Sequence, residues 1–281
     1  MIDTAVVTYI DDSKTLIQEF HWLYKSWIYS GSWRTSKIIA FHHPSIDMNL
    51  LPKEDVLYIP LIPLTERDEI WKEYPFINSV EYLTRPEASV LAQYKYILRT
   101  DNDCFLTPNF QSFKPRLATF GIGMYATQPI VVAKLAQIAA QWGIQPIFNN
   151  VGSTLMAKSN QVLQYSQLQM EYCRKLRAEE FPDGYGEWPN WYFGVLTMYA
   201  GQLAANAFFG MNMTMGGFDV HCMSHEEMKP TDYHIHAWHT YDNFSKFKWR
   251  EGKYSKIDRS ALDPNIIADY CLWIAGNTPC E

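Results

Sequence analysis

The stretch that decides the fold is YKYILRTDNDCFL, residues 94–106. Tyr96-Ile97-Leu98-Arg99 reads as a short buried strand, and Asp101-Asn102-Asp103 follows at once. In open α/β sheets ligands bind beyond the carboxyl ends of the strands. Two carboxylates one residue apart at such an end can address one hard cation, Mg2+ or Mn2+, which in turn holds phosphate oxygens. An isolated Asp-x-Asp is commonly a solvated turn or a helix cap. The apolar run in front of this one sets it apart.

Working outward, residues 5–10 form a β-branched strand, followed by Ser13 as helix cap and by Leu16, Ile17, Phe20, Tyr24 and Trp27 at helical spacing, with Gly31 as the stop. Residues 37–41, 56–59 and 120–125 read as further strands. Residues 86–94 read as a helix with Pro near its start. Thr127 caps another, with Pro129 in its first turn and Gly143 past its end, and residues 158–180 and 191–208 complete the helical set. Strands alternating with helices predict a parallel α/β sheet covered on both faces. The last 60 or so residues are irregular and read as a completing lobe, so the expectation is a single domain over 1–281. Its nucleotide-binding half covers about 1–110 and its acceptor-binding half about 111–281.

Composition narrows the class. Aromatic residues make up 15% of the 281 and charged residues 19%, against roughly 25% charged in a typical soluble domain. The net charge of −6 argues against a duplex nucleic-acid binder, which needs a basic face. Many flat rings and few charges suit either a bulky core or a sugar-binding surface. Trp22, Trp27 and Trp142 lie on helical segments and read as core, whereas Trp188, Trp191, Tyr192, Trp238, Tyr241 and Trp249 cluster near the second-half motifs. The five cysteines are widely spaced with no Cys-x-x-Cys pair, which reads as free thiols in a reducing compartment. No apolar run is long enough for a transmembrane helix and no secretory leader is evident, so a soluble cytoplasmic protein is expected.

Four more segments carry candidate chemistry. Five of the eight histidines lie between His221 and His239, three of them in HIHAWH at 234–239. His234 and His236 share one strand face. One imidazole added to Asp101 and Asp103 would complete a metal site with positions left for phosphate, His236 being the first choice and His234 and His239 the alternatives. A zinc site built from the histidines alone is the competing reading. FNNVGS at 148–153 places Asn150 and Gly152 where an amide and a close backbone approach suit sugar hydroxyls, though an ordinary turn has the same composition. DGYGEWPNWY at 183–192 sets carboxylates beside aromatic rings. Glu187, then Asp183, then Asp219 of MGGFDVHC (215–222), are the candidate general bases. Lys246, Lys248 and Arg250 in FSKFKWREGKY (244–254) could neutralise a diphosphate, or could lie on a solvated edge strand of alternating charge.

The ordered set YKYILRTDNDCFL, FNNVGS, HIHAWH and KFK resembles the GT-A glycosyltransferases over roughly residues 3–255. The resemblance implies a Rossmann-like mixed sheet flanked by helices and an irregular C-terminal lobe. It implies Mn2+ or Mg2+ on Asp101, Asp103 and His236, with Asn102 between them. Thr8, Tyr9 and Ile10 would contact the base and ribose of a UDP-sugar donor, and Asn150 and Gly152 would lie near the sugars. The acceptor implied is a glycan hydroxyl, on an oligosaccharide or glycoprotein. The compact form also resembles the capsid-glycan glycosyltransferases of large algal viruses, which implies inversion and a pentose donor such as UDP-xylose, in a host cytoplasm. The family's late His-x-x-Gly-x-x-Lys-Pro-Trp pattern is replaced here by HIHAWHTYDNFSKFKW. The competing classes are a nucleotidyltransferase, whose usual Gly-rich basic loop is missing from TYIDDSK at 8–14, a catalytically silent carbohydrate-binding relative, and a histidine-based zinc hydrolase.

Overall fold

The structure, a computed structural model, describes residues 2–182, 185–238 and 244–276. Ten strands occur among these residues: β1 (Thr4–Ile10), β2 (Ser36–His42), β3 (Val56–Pro60), β4 (Tyr96–Arg99), β5 (Cys104–Leu106), β6 (Ala118–Ile122), β7 (Val151–Lys158), β8 (Met213–Met215), β9 (Val220–His221) and β10 (His234–His236). The helices are α1 (Lys14–Tyr29), α2 (Leu64–Arg67), α3 (Asn78–Glu81), α4 (Pro129–Gln141), α5 (Ser159–Glu179), α6 (Leu196–Phe208), α7 (Lys246–Arg250) and α8 (Ile267–Gly276).

Seven strands form one sheet in the order β3-β2-β1-β4-β7-β6-β8. The sheet is parallel from β3 to β4, but β7 runs antiparallel to both β4 and β6. The sheet is therefore mixed, as the GT-A resemblance implied, and not parallel throughout as the alternation alone suggested. The segment 151–158 is buried on both faces over most of its length, and such a run carries no mark of its direction. A second sheet, β5-β10-β9, pairs β10 antiparallel with β5, immediately after the Asp-x-Asp segment.

Helix α1 lies between the two sheets. Ile17, Phe20, Leu23 and Trp27 pack on Val6, Ile38 and Leu98 of the large sheet. Trp22, on the opposite side, stacks on Phe105 at 5.7 Å and meets Phe244 edge-on at 5.5 Å. Gly31 ends the helical segment at φ 72°, a left-handed conformation that a side chain would strain. The other face of the large sheet is covered by α5 and α6, which bury Val162, Tyr165, Ala204 and Ala205 against Phe120 and Leu155.

Two local expectations differ. The helix anticipated from residue 191 begins at Leu196, because Phe193–Val195 form a separate 3-10 turn. The alternating segment at 244–254 is not a strand. Ser245 caps α7 there, its Oγ accepting from the Lys248 N–H at 3.3 Å.

Candidate active site

A cleft of about 710 Å³ opens beyond the carboxyl ends of β1 and β4. The amino end of β7 and α7 complete its walls. Asp101, Asn102 and Asp103 lie on its floor. Asn102 ties the floor to β1: its Nδ2 donates to the Tyr9 carbonyl and its Oδ1 accepts from Thr8 Oγ1, both at 2.8 Å. Antiparallel pairing with β5 brings β10, distant in sequence, over this floor.

His236 Nε2 lies 3.2 Å from Asp103 Oδ1 and 3.7 Å from Asp101 Oδ2. Its Nδ1 is 3.0 Å from Asp219 Oδ1. A carboxylate on one ring nitrogen that leaves the other facing further carboxylates is the arrangement that orients metal-binding histidines. His234 is placed differently. Its Nδ1 accepts from the Asp219 N–H at 3.2 Å, so its Nε2 carries the proton and donates to Thr100 Oγ1 at 2.7 Å. Both nitrogens of His234 are engaged within the protein. His239, the third alternative, lies outside the described residues.

Asp219 is buried at φ 55° and accepts from Thr154 Oγ1 at 2.6 Å. Two glycines make room for it. A Cβ on Gly121 would stand 1.8 Å from Asp219 Oδ2, and one on Gly152 would stand 2.3 Å from it.

Electrostatics follow the geometry. Burial disfavours the Asp103 carboxylate, but the Lys246 ammonium, hydrogen-bonded to its Oδ2, and His236 hold its pKa well below the usual range. Burial likewise disfavours a charged His236, yet Asp103 and Asp219 hold it well above its usual value. Desolvation and the neighbouring carboxylates raise Asp101. Burial pushes His234 down to about 4.

The donor types of Asp101, Asp103 and His236, carboxylate oxygens and one imidazole nitrogen, fit a hard or borderline divalent cation, and both carboxylates face His236 Nε2. Among the described residues, the group whose ligand atoms all lie within 4.8 Å of one another is Asp103, Cys104 and His236, and Asp101 stands outside it. Burial beside three carboxylates keeps that thiol protonated, so Asp101 is the better third donor.

Other sequence candidates scatter. Thr8, Tyr9, Gly152 and Lys246 line the cleft. Ile10 is buried away from it, and Lys248 is half-buried outside it. The Asn150 side chain is spent on the backbone of Ala126, accepting from its N–H at 2.8 Å and donating to its carbonyl at 3.2 Å. Glu187 is exposed, one residue from the cleft-lining Trp188. Asp183 lies outside the described residues. Of the second-half aromatics, Trp188 and Trp238 line the cleft, whereas Trp191 stacks on Tyr199 at 4.2 Å and Trp249 packs in the C-terminal lobe. Arg250, a candidate from the same basic segment as Lys246, lines the cleft, and so do Arg99 and Gln169, which carried no sequence signal beyond their residue type.

Residues 53–272 match a family described as a domain of unknown function, DUF7164. The chain belongs to the DUF7164 family. A comparison with curated proteins finds no significant match. Among solved structures, the galactosyltransferase LgtC in complex with donor and acceptor sugar analogs superposes with a TM-score of 0.51 at 12% identity, over 99% of this chain and 98% of that one. An active-site mutant of LgtC gives 0.52 at 12%, over 90% and 95%. Core-mannan synthase A from Aspergillus fumigatus, in its Mn/GDP form, gives 0.44 at 10%, over 77% and 73%. This DUF7164 member thus has the fold of the GT-A glycosyltransferases, a mixed sheet flanked by helices. Among the described residues no helix is long and apolar enough to cross a membrane.

Proposed function

We propose that the protein is a metal-dependent glycosyltransferase that moves a sugar from a UDP-sugar to a glycan hydroxyl, with inversion. The observation that supports this reading is that Asp103 Oδ1 and Asp101 Oδ2 lie 3.2 and 3.7 Å from His236 Nε2, in the cleft beyond the ends of the parallel strands. Those three side chains would hold Mn2+ or Mg2+, with Asp219 fixing the His236 ring. When bound there, the cation would supply Lewis-acid stabilisation of the departing diphosphate. Lys246, anchored on Asp103, adds positive charge on the same side. Thr8 and Tyr9 take the nucleoside, so that residues 1–110 serve chiefly the nucleotide, while 111–281 supply His236 and Lys246 to its diphosphate and bind the acceptor. Exposed rings and side chains at the cleft, Phe76, Met124, Trp188 and Phe247, offer apolar faces to sugar rings.

In the reaction the acceptor oxygen bonds to the anomeric carbon as that carbon's bond to the diphosphate oxygen breaks, releasing UDP. The hydroxyl proton passes to Glu187, the carboxylate beside Trp188. Glu187→Gln is expected to abolish transfer and leave UDP binding intact. Unchanged turnover removes Glu187 from the role.

The deciding test is thermal stability with UDP, UDP-xylose and UDP-glucose, with and without Mn2+. A ligand of the folded state at a hundredfold excess over its Kd adds about 2.7 kcal/mol. Stabilisation that needs the metal, and that Asp101→Asn or Asp103→Asn removes, is the expected result. No response to any nucleotide with metal present overturns the reading.

A further inference from the structure

Arg99 is 5% exposed, and what remains exposed belongs to a residue of the cleft wall. Its guanidinium is held rigidly. Nε and Nη2 donate to the Ser153 carbonyl at 3.2 and 2.8 Å, Nη1 donates to Gln169 Oε1 at 2.5 Å, and Cζ lies 5.4 Å from the Tyr165 ring centre. Gln169 is fixed in turn by donating to the Thr197 carbonyl at 2.9 Å. Among the described residues no carboxylate lies within ion-pair distance of Arg99. Arg67 and Arg250 differ, pairing with Glu81 and Glu19 at 2.5 Å each, whereas half-buried Arg177, away from the cleft, also donates only to main-chain carbonyls, those of Phe181 and Pro182.

A desolvated cation facing only neutral acceptors is costly unless an anion reaches it. A planar guanidinium fixed in this way matches a carboxylate in bidentate fashion. Its place is equally informative. Ser153, which accepts from Arg99, donates from its Oγ to Asp101 Oδ2 at 2.9 Å. Arg99 therefore stands one residue from the carboxylates, on the wall formed with Gln169 and Tyr165 of α5. Lys246 approaches from α7 instead, directly on Asp103.

We propose that this cleft takes a sugar bearing a carboxylate, a uronic acid, whose carboxylate pairs with Arg99. The inference rests on the glycosyltransferase reading and specifies its substrate class. The uronic acid is the donor sugar or the terminal sugar of the acceptor, and two arms of one calorimetric experiment separate these. In the first, UDP-glucuronate is compared with UDP-glucose in the presence of Mn2+. In the second, a glucuronate-terminated disaccharide is compared with its glucose-terminated counterpart on protein saturated with UDP and Mn2+. The acidic ligand is expected to bind about tenfold tighter or more in one arm. Arg99→Met should erase that preference and leave UDP binding unchanged, and Arg99→Lys should reduce it several-fold. If Arg99→Met does not fold, the wild-type preference and its reduction in Arg99→Lys decide. Equal or better binding of the neutral sugar in both arms overturns the inference, as does a preference that survives in Arg99→Lys undiminished. Weakened binding of UDP itself in Arg99→Met also overturns it, because the arginine then serves the diphosphate. Absence of UDP binding to the wild-type protein overturns the glycosyltransferase reading and this inference with it.

Discussion

At the scale of single residues, the two histidines of β10 show how one strand face serves two chemistries. His236 keeps Nε2 toward the carboxylates, while His234 is locked as a neutral ring between the Asp219 N–H and Thr100. Protonating His234 would set a second N–H against that donor. Its folded pKa of about 4 lies below the ordinary 6.5, so the unfolded chain binds the proton more readily between those values. Stability from this group is present above pH 6.5 and is lost as pH falls toward 4, amounting to about 3 kcal/mol at full extent. Metal-free wild-type protein is expected to lose more stability than His234→Gln over that window in urea titrations. Parallel slopes would exclude His234 as the source. The Asp-x-Asp pair and the alternation of HIH were legible in the sequence because both are local patterns. Arg99 was not, because a basic residue closing an apolar strand looks like an ordinary strand end, and only packing reveals that no carboxylate meets it.

At the scale of elements, the decisive feature is the close approach of β6 and β7 over Asp219. Gly152 would bring a Cβ within 2.6 Å of the Gly121 backbone as well as against Asp219. Gly152→Ala is therefore expected to cost about 1–3 kcal/mol through overpacking. It should weaken Mn2+ binding further by pushing Asp219 off His236. Chemical denaturation and metal titration check the two effects separately, and wild-type metal affinity in this variant would detach Asp219 from the site. The sequence marked Gly152 as a point of close approach and expected a ligand there. The structure puts an internal carboxylate beside it. That partner lies 67 residues away from Gly152, with Thr154 Oγ1 as its nearest hydrogen-bond donor, and no local pattern announces such a pairing. The same distance problem explains α7. Alternating apolar and charged residues have a strand's period, but the Ser245 cap and the packing of Trp249 against Trp22 at 6.0 Å select a helix.

At the scale of the whole molecule, α1 is the joint. It buries one side on the large sheet and presents Trp22 to the cluster of Phe105, Phe244 and Tyr270 that organises the last quarter of the chain. Tyr270 Oη donates to the Leu106 carbonyl at 2.6 Å and ties α8 to β5. Removing the buried indole in Trp22→Ala is expected to cost about 3–5 kcal/mol. It should also lower metal affinity, since β5 and α7 lose a shared support, and heat-capacity and metal-binding measurements test both. Retained affinity in the folded variant would show that the lobe holds its place without α1. The alternation of strands and helices made the class of fold legible. The alternation did not show the reversed β7 or the second sheet, because strand direction and pairing depend on partners far along the chain, and only the resemblance implied that the sheet is mixed.

The pairing of β5 with β10 has one more consequence, for biosynthesis. Lys246 meets Asp103 across a sequence separation of 143 residues. A nascent chain that has not yet emitted β10 and α7 holds Asp101 and Asp103 without the two cations that offset their mutual repulsion. The charge balance of the cleft is thus reached only after most of the chain has been synthesised and β10 and α7 have docked.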